Sequence, residues 1–171
     1  MRLAFLILMI SLMSSCTTTS LTGAFDDQRN ESLARKMIEQ ANPAIRDAHI
    51  NITSFDGIVL VTGQVPSADL IQVVSSQIEP LRNVRKLHNE LVVAGNTSLI
   101  SRTNDSWLTT KVKSALSGNP DTEANRIKVV TENEVVYLMG LLTRAEADAA
   151  VEVARNVQGI QKIVKLFEYI N

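Results

Sequence analysis

The sequence has one cysteine, Cys16, and two histidines, His49 and His88, in 171 residues. A lone cysteine excludes an internal disulfide and a cysteine-built zinc site. Neither histidine has a catalytic partner or second metal ligand at motif spacing, so both read as surface or sheet-edge residues. Aromatic residues make up only 4%, with one Trp and two Tyr. Neither sign of charge dominates: the formal net charge is -1. Bulk charge therefore gives no basic face for a nucleic-acid backbone. The seven glycines are scattered, and without a G-x-x-x-x-G-K or G-x-G-x-x-G pattern they make no phosphate cradle. Asp121, Glu123, Glu132 and Glu134 lack the spacing of a calcium loop and read as solvated turns. No cofactor, metal or nucleic-acid partner is expected. With 45% hydrophobic and 20% charged residues, the chain is neither disordered nor a multi-span membrane protein. Its length suits one ordinary domain or two very small ones.

The one long hydrophobic run lies at the start. Residues 1–13 read MRLAFLILMISLM, a basic residue followed by an apolar stretch too short to span a ~30 Å hydrocarbon core comfortably. A short basic segment, a short apolar segment and small residues after it describe a secretory signal. The order Met13-Ser14-Ser15-Cys16 resembles the bacterial lipobox, in which the cysteine becomes the lipid-modified N-terminus; the usual pattern has Leu where Met13 stands. Residues 1–15 are thus expected to be a lipoprotein signal peptide, with Cys16 as the lipidation site. Residues 16–30 are then a lipidated, polar, flexible tether.

The remainder is one unit used twice. Residues 50–63, INITSFDGIVLVTG, align with 127–140, IKVVTENEVVYLMG, at an offset of 77. Alternating apolar residues mark strands on both sides of Asp56-Gly57 and Asn133-Glu134, where a hairpin must turn. The second strands are expected to end at Gly63 and Gly140, positions suited to a bulge or a close backbone approach. Helical stretches follow at 67–80 and 144–157, then final strands carrying Leu87, Asn89, Leu91, Val93 and Ile163, Lys165, Phe167, Tyr169. Before each hairpin comes a further helix, with Leu33, Met37 and Ala41 set against Leu108, Val112 and Leu116. Asn30 or Ser32 suits the cap of the first of these helices, and Asp105 or Ser106 the cap of the second. The boundaries read 31–93 for the first unit, 94–106 for a linker and 107–171 for the second unit.

This αββαβ pattern resembles the BON domain, the family named for bacterial OsmY and nodulation proteins. The likeness rests on Leu108, Val112, Ala115 and Leu116, on the hairpin reaching Gly140, on the Ala-rich helix, and on Gly159-Ile160 before the last strand. Leu87-x-Asn89-x-Leu91-x-Val93 is close to the family's V-x-N-x-L-x-V. The chain departs from the pattern at Asn83, where Gly is preferred, and at Lys165, where Asn is preferred. With the lipobox, the sequence is similar to the dual-BON outer-membrane lipoproteins of Gram-negative bacteria, the DolP-like group. The fold implied is α+β: two tandem BON-type units, each a three-stranded mixed sheet packed on two helices. The resemblance also implies a non-enzymatic, lipid-anchored outer-membrane protein facing the periplasm. Its BON domains would bind anionic phospholipid and help maintain envelope integrity. The alternative is a protein-interaction scaffold that docks an envelope partner, with the acyl chains serving only as a tether.

One helix concentrates the lipid-binding expectation. Trp107 lies ~100° from Leu108 on a helix, with Lys111 one turn further on. An aromatic beside a cation at the edge of a buried face is how a surface helix grips anionic headgroups. Trp107, Leu108, Lys111 and Lys113 are the expected lipid-binding residues, against the plainer reading of Trp107 as a core cap. The first unit has 6 basic and 7 acidic residues, and the second has 8 of each. Attraction to acidic lipid must then come from a local patch. Gly63 and Gly140 are expected to be structural, each costing on the order of 1–3 kcal/mol if a Cβ is added.

Overall fold

In the computed structural model the described residues are 18–95 and 98–171. Two copies of one arrangement follow each other. The first comprises α1 (Thr18–Ala41), β1 (His49–Phe55), β2 (Ile58–Val65), α2 (Asp69–Ile78) and β3 (Lys86–Val93). The second comprises α3 (Leu99–Ser117), β4 (Ile127–Glu132), β5 (Val135–Leu142), α4 (Arg144–Arg155) and β6 (Lys162–Tyr169). A short 3₁₀ turn precedes each hairpin, at Pro43–Asp47 and Ala124–Arg126. In each sheet an antiparallel hairpin is extended by a parallel strand, in the order β1-β2-β3 and β4-β5-β6. The fold is α+β, with two mixed three-stranded sheets.

Two stretches expected to be irregular are helical. α1 begins at Thr18 and runs through the proposed tether. Its segment 23–30 is held because Asp27 and Asn30 are buried against the first hairpin. α3 begins at Leu99, inside the proposed linker, and its cap is Ser98, whose side chain accepts from the Ser101 N–H. Asp105 is therefore a mid-helix residue and not the cap.

The two long helices also align differently from the sequence expectation. In α3 the buried residues are Asp105, Leu108, Val112 and Leu116, and in α1 they are Asp27, Asn30, Ala34 and Ile38. These match at an offset of 78, so Asn30, not Leu33, stands where Leu108 does. The aspartates fix this register. Both Asp105 carboxylate oxygens accept backbone N–H bonds at 2.8 Å from Asn133 and Glu134. Asp27 accepts from the N–H groups of Asp56 and Gly57, and from the Ser54 hydroxyl at 2.6 Å. Asp56, Gly57, Asn133 and Glu134 all have positive φ, of 50°, 74°, 48° and 62°. That is the geometry of a primed two-residue hairpin turn, and each turn aims its N–H groups at a carboxylate on the helix.

Asp56 itself is poorly placed. Burial, and then the neighbouring Asp27 charge, raise its pKa above the ordinary aspartate value, with Arg85 pulling the other way. A carboxyl whose folded pKa is raised destabilises the fold when ionised, and this penalty fades as pH falls through that pKa. The matching residue of the second hairpin is Asn133, and asparagine tolerates the left-handed region well. Asp56→Asn is expected to raise the melting temperature at pH 7, with the gain shrinking toward pH 4. An equal gain at both pH values would show that charge has no part in it.

Each unit has its own core between sheet and helices. Ile38, Ile45, Val61, Leu70 and Val74 anchor the first, and Val112, Leu116, Leu138, Ala150 and Phe167 anchor the second. A third core joins them. Ile58 and Leu60 from the first sheet pack with Val130, Tyr137, Met139 and Leu166 from the second. The sheets thus meet through the faces that the helices leave bare, which is why every residue of β2 is buried. Tyr137 lies deep enough there that burial, with Glu90 and Glu132 nearby, pushes its phenol up to about 12. Polar ties close the ends. The Gln64 amide donates to Glu132 at 2.9 Å, His49 lies 3.5 Å from the same carboxylate, and Arg85 pairs with Glu168 at 2.7 Å. A unit of ~60 residues is near the lower limit for independent stability, and this shared face enlarges the buried area of both.

Candidate functional site: an exposed face of helix α3

α3 is pinned on one side and bare on the other. Leu108 is fully buried, and it sits against Gly159, where an added Cβ would lie 3.0 Å from Leu108 Cδ2. Gly159 has φ +100°, and its counterpart Asn83 has φ 67°, so both copies use left-handed backbone before the last strand. With Leu108 and Asp105 fixed inward, Trp107 is turned out and is 61% exposed. The Lys111 Nζ lies 4.3 Å from the Trp107 ring centroid and donates to the Gln158 carbonyl at 2.7 Å. Stacking and hydrogen bonding together hold the ammonium over the ring.

The bare face extends toward the start of α3. Leu99 and Ile100 are 77% and 83% exposed. Ile100 precedes Trp107 by two turns and shares its stripe. Between them, the hydroxyls of Thr103 and Ser106 donate back to the carbonyls of Leu99 and Arg102. These short side chains fold onto the helix and leave the three large apolar groups standing proud. Exposed apolar residues grouped with a cation mark an interaction surface.

Of the expected lipid-binding set, the structure brings Trp107 and Lys111 together and separates the other two. Leu108 is corrected to a core residue, because the stripe that buries Val112 and Leu116 also buries it. Lys113 lies on a different side of α3, lining a groove with Phe55, Asn125 and Lys128. Leu99 and Ile100 lie in the polar segment 94–106, whose composition suggests a linker and gives no signal of a helix face. Cys16 and the signal segment lie outside the described residues. Gly63 and Gly140 occupy matching places, paired with Ile50 and Ile127 respectively, but they do not end their strands: β2 and β5 each run two residues further, because the parallel partner strand continues the ladder.

Among the described residues the first unit has no Trp–Lys pair at the matching place. Arg29 stands where Trp107 does. Phe25 is exposed on α1, but it adjoins Asp26. The cation–ring contacts found among the described residues are Lys111 on Trp107 and Arg144 on Tyr169. Glu132 and Glu134 are engaged by side chains, Glu134 accepting from Asn104 and Gln161. Among the described residues no helix is long and apolar enough to cross a membrane.

Two αββαβ units joined through their sheets, one carrying an exposed Trp–Lys helix face, define a tandem-repeat protein. The BON domain model matches residues 26–95 and 104–171. The chain is 32% identical over 146 residues to the outer membrane lipoprotein DolP of Haemophilus influenzae, covering 85% of this chain and 76% of that one. It is 37% identical over 124 residues to a 21 kDa hemolysin of Actinobacillus pleuropneumoniae, covering 72% and 64%. Among solved structures, the C-terminal domain of CdsD, a structural protein of the type III secretion system of Chlamydia trachomatis, is 14% identical. It aligns with a TM-score of 0.33 over 85% of this chain and 67% of that one. The chain belongs to the BON-domain family, in its DolP-like form with two copies.

Proposed function

We propose that this protein is a non-enzymatic outer-membrane lipoprotein, anchored through Cys16 and facing the periplasm. In this reading the α3 face of its second unit binds anionic phospholipid and so supports envelope integrity. The observation that carries the reading is Trp107, exposed beside a stacked Lys111 and in line with Ile100. The named relative DolP, an outer membrane lipoprotein, supports the location. Insertion of one large apolar side chain into the interface contributes about 2 kcal/mol. An anchored chain needs no more, because the acyl groups already hold the domain at high effective concentration near the bilayer. Lys111 adds roughly 1 kcal/mol near an anionic surface, and salt screens it.

The test is co-sedimentation of the chain lacking residues 1–16 with phosphatidylglycerol vesicles. Trp107→Glu is expected to weaken binding by more than about tenfold with the fold unchanged, since an inserted ring is exchanged for a repelled charge. Lys111→Ala is expected to weaken it mainly at low salt. If the unaltered chain ignores anionic vesicles even at low salt, the lipid reading fails and the scaffold reading takes its place.

A further inference from the structure

The two last strands differ at one residue that controls the seam between strand and helix. In the first unit Asn89, the fourth residue of β3, donates to the Ile71 carbonyl at 2.9 Å and to the Ser75 hydroxyl at 2.8 Å. Both partners are on α2, so Asn89 draws β3 and α2 together. The fourth residue of β6 is Lys165, opposite Leu138 as Asn89 is opposite Val61. Lys165 is exposed and makes no hydrogen bond or ion pair among the described residues. The seam between β6 and α4 is correspondingly open, as a groove of about 320 Å³.

The groove has a definite chemistry. Val151, Ile160 and Ile163 form its apolar floor, and Arg155, Lys162 and Lys165 stand around it. Acids lie at its rim: Glu152 is 3.6 Å from Arg155, with both side chains of that pair 67% exposed, and Glu134 accepts from the groove-lining Gln161. One wall is itself an edge strand, because β6 pairs with β5 alone. The outer row of β6 backbone N–H and C=O groups is therefore available to another strand. A groove between an edge strand and a helix is a geometry in which an extended peptide adds to a sheet. Main-chain bonds then supply affinity, and the groove reads alternate side chains.

We propose that the β6–α4 groove docks an extended segment of a partner protein, paired along β6, with acidic side chains meeting Arg155, Lys162 and Lys165 and an apolar one seated on Val151 and Ile163. A protein strand fits better than a lipid surface because a concave groove beside unpaired backbone asks for donors and acceptors at strand spacing. The three cations select an acidic sequence. The proposal does not rest on the Trp107 face, so the two stand or fall separately.

The probe is a fluorescein-labelled hexapeptide alternating aspartate and valine, titrated into the protein, with amide shifts followed by NMR. Binding is expected to move the amides of residues 160–166 and of the C-terminal half of α4. Lys165→Asn, which copies the Asn89 seam, is expected to weaken binding about tenfold, and Lys165→Arg to keep it. Lys162→Glu, at an exposed position that leaves folding intact, should weaken it about fivefold. Trp107→Glu should leave it unchanged. The proposal is overturned if the β6 amides stay still at millimolar peptide, or if a lysine–valine peptide binds equally well. It is also overturned if phosphatidylglycerol vesicles move the same amides and Lys165→Asn reduces vesicle binding, because the groove would then belong to a membrane face.

Discussion

Gly63→Ala is expected to destabilise the first unit by about 4 kcal/mol, at the top of the range for a single substitution. Gly63 has φ +124°, and a Cβ built there would lie 1.9 Å from the His49 carbonyl oxygen and 2.9 Å from its carbon. Both obstacles are backbone of the adjacent strand β1, so nothing flexible can turn aside. The Cβ would force β1 away from β2 at the point where Ile50 pairs with Gly63 and enters the core. Gly140 separates clash from dihedral. Its Cβ would lie 2.4 Å from the Arg126 carbonyl oxygen, but its φ is outside the left-handed region. Gly140→Ala is therefore expected to cost less, and Gly95→Ala, with nothing within 4 Å, close to nothing. Urea denaturation of the three variants checks the order. Equal loss at Gly63 and Gly95 would show that the strand approach is softer than its geometry.

The damage should not stay in one unit. Ile58 and Leu60 cover Tyr137, Met139 and Leu166 of the second sheet, so unfolding the first unit bares an apolar sheet face. The Gly63→Ala chain should lose both units in one transition, or aggregate at concentrations where the unaltered chain does not. A second unit that stays folded and monomeric would limit the shared core to a weak contact.

The strands and turns were legible because their signals are short-range. Residues 50–63 and 127–140 alternate with period two, and a two-residue turn admits one register once the hydrophobic face is fixed. Asn-Glu is a weaker turn dipeptide than Asp-Gly, yet Asn133-Glu134 adopts the same left-handed pair as Asp56-Gly57. The helix register was not legible from hydrophobicity. Leu33, Met37 and Ala41 are the more apolar series on α1, but the buried series is Asn30, Ala34 and Ile38. Asn30 even keeps its side-chain N–H group without a partner, so no transfer scale would place it inside. Polar chemistry sets the register instead, with one aspartate on each helix satisfying a turn two elements away. The repeat of Asp27 and Asp105 at nearly the same offset as the turns was the available signal. It is invisible to any rule that places aspartate on the solvated face. The meeting of the two sheets was likewise unreadable. Ile58 and Leu60 belong, by pattern, simply to the strand after Asp56-Gly57, and only the second copy supplies what covers them.

Asp105→Ala tests that polar register where it bears on the proposed lipid-binding face. The substitution leaves the Asn133 and Glu134 N–H groups, each bonded at 2.8 Å, without acceptors in a site where Asp105 is 6% exposed. Hydrogen bonds to a charged group contribute about 1.5–3 kcal/mol each, and losses within one network are not additive, so a total near 3 kcal/mol is expected. Asp105→Asn keeps one carbonyl acceptor but turns an NH₂ toward the other N–H. About half the loss should remain. Hydrogen exchange at residues 133 and 134 should accelerate in both variants, and most in the alanine. The first turns of α3 lean on the same hairpin, through Asp105, the first buried residue of the helix, and through Ser101 and Asn104, which bond to Asn133 and Glu134 at 3.1 Å. Exchange should therefore quicken over residues 99–106 while 108–116 stay protected by Leu108, Val112 and Leu116. Vesicle binding would fall with it, although Asp105 points away from Trp107. Unchanged protection at 99–106 in a folded Asp105→Ala chain would mean that core packing, with the Ser101 and Asn104 bonds to the hairpin, orients the helix and its exposed face without Asp105.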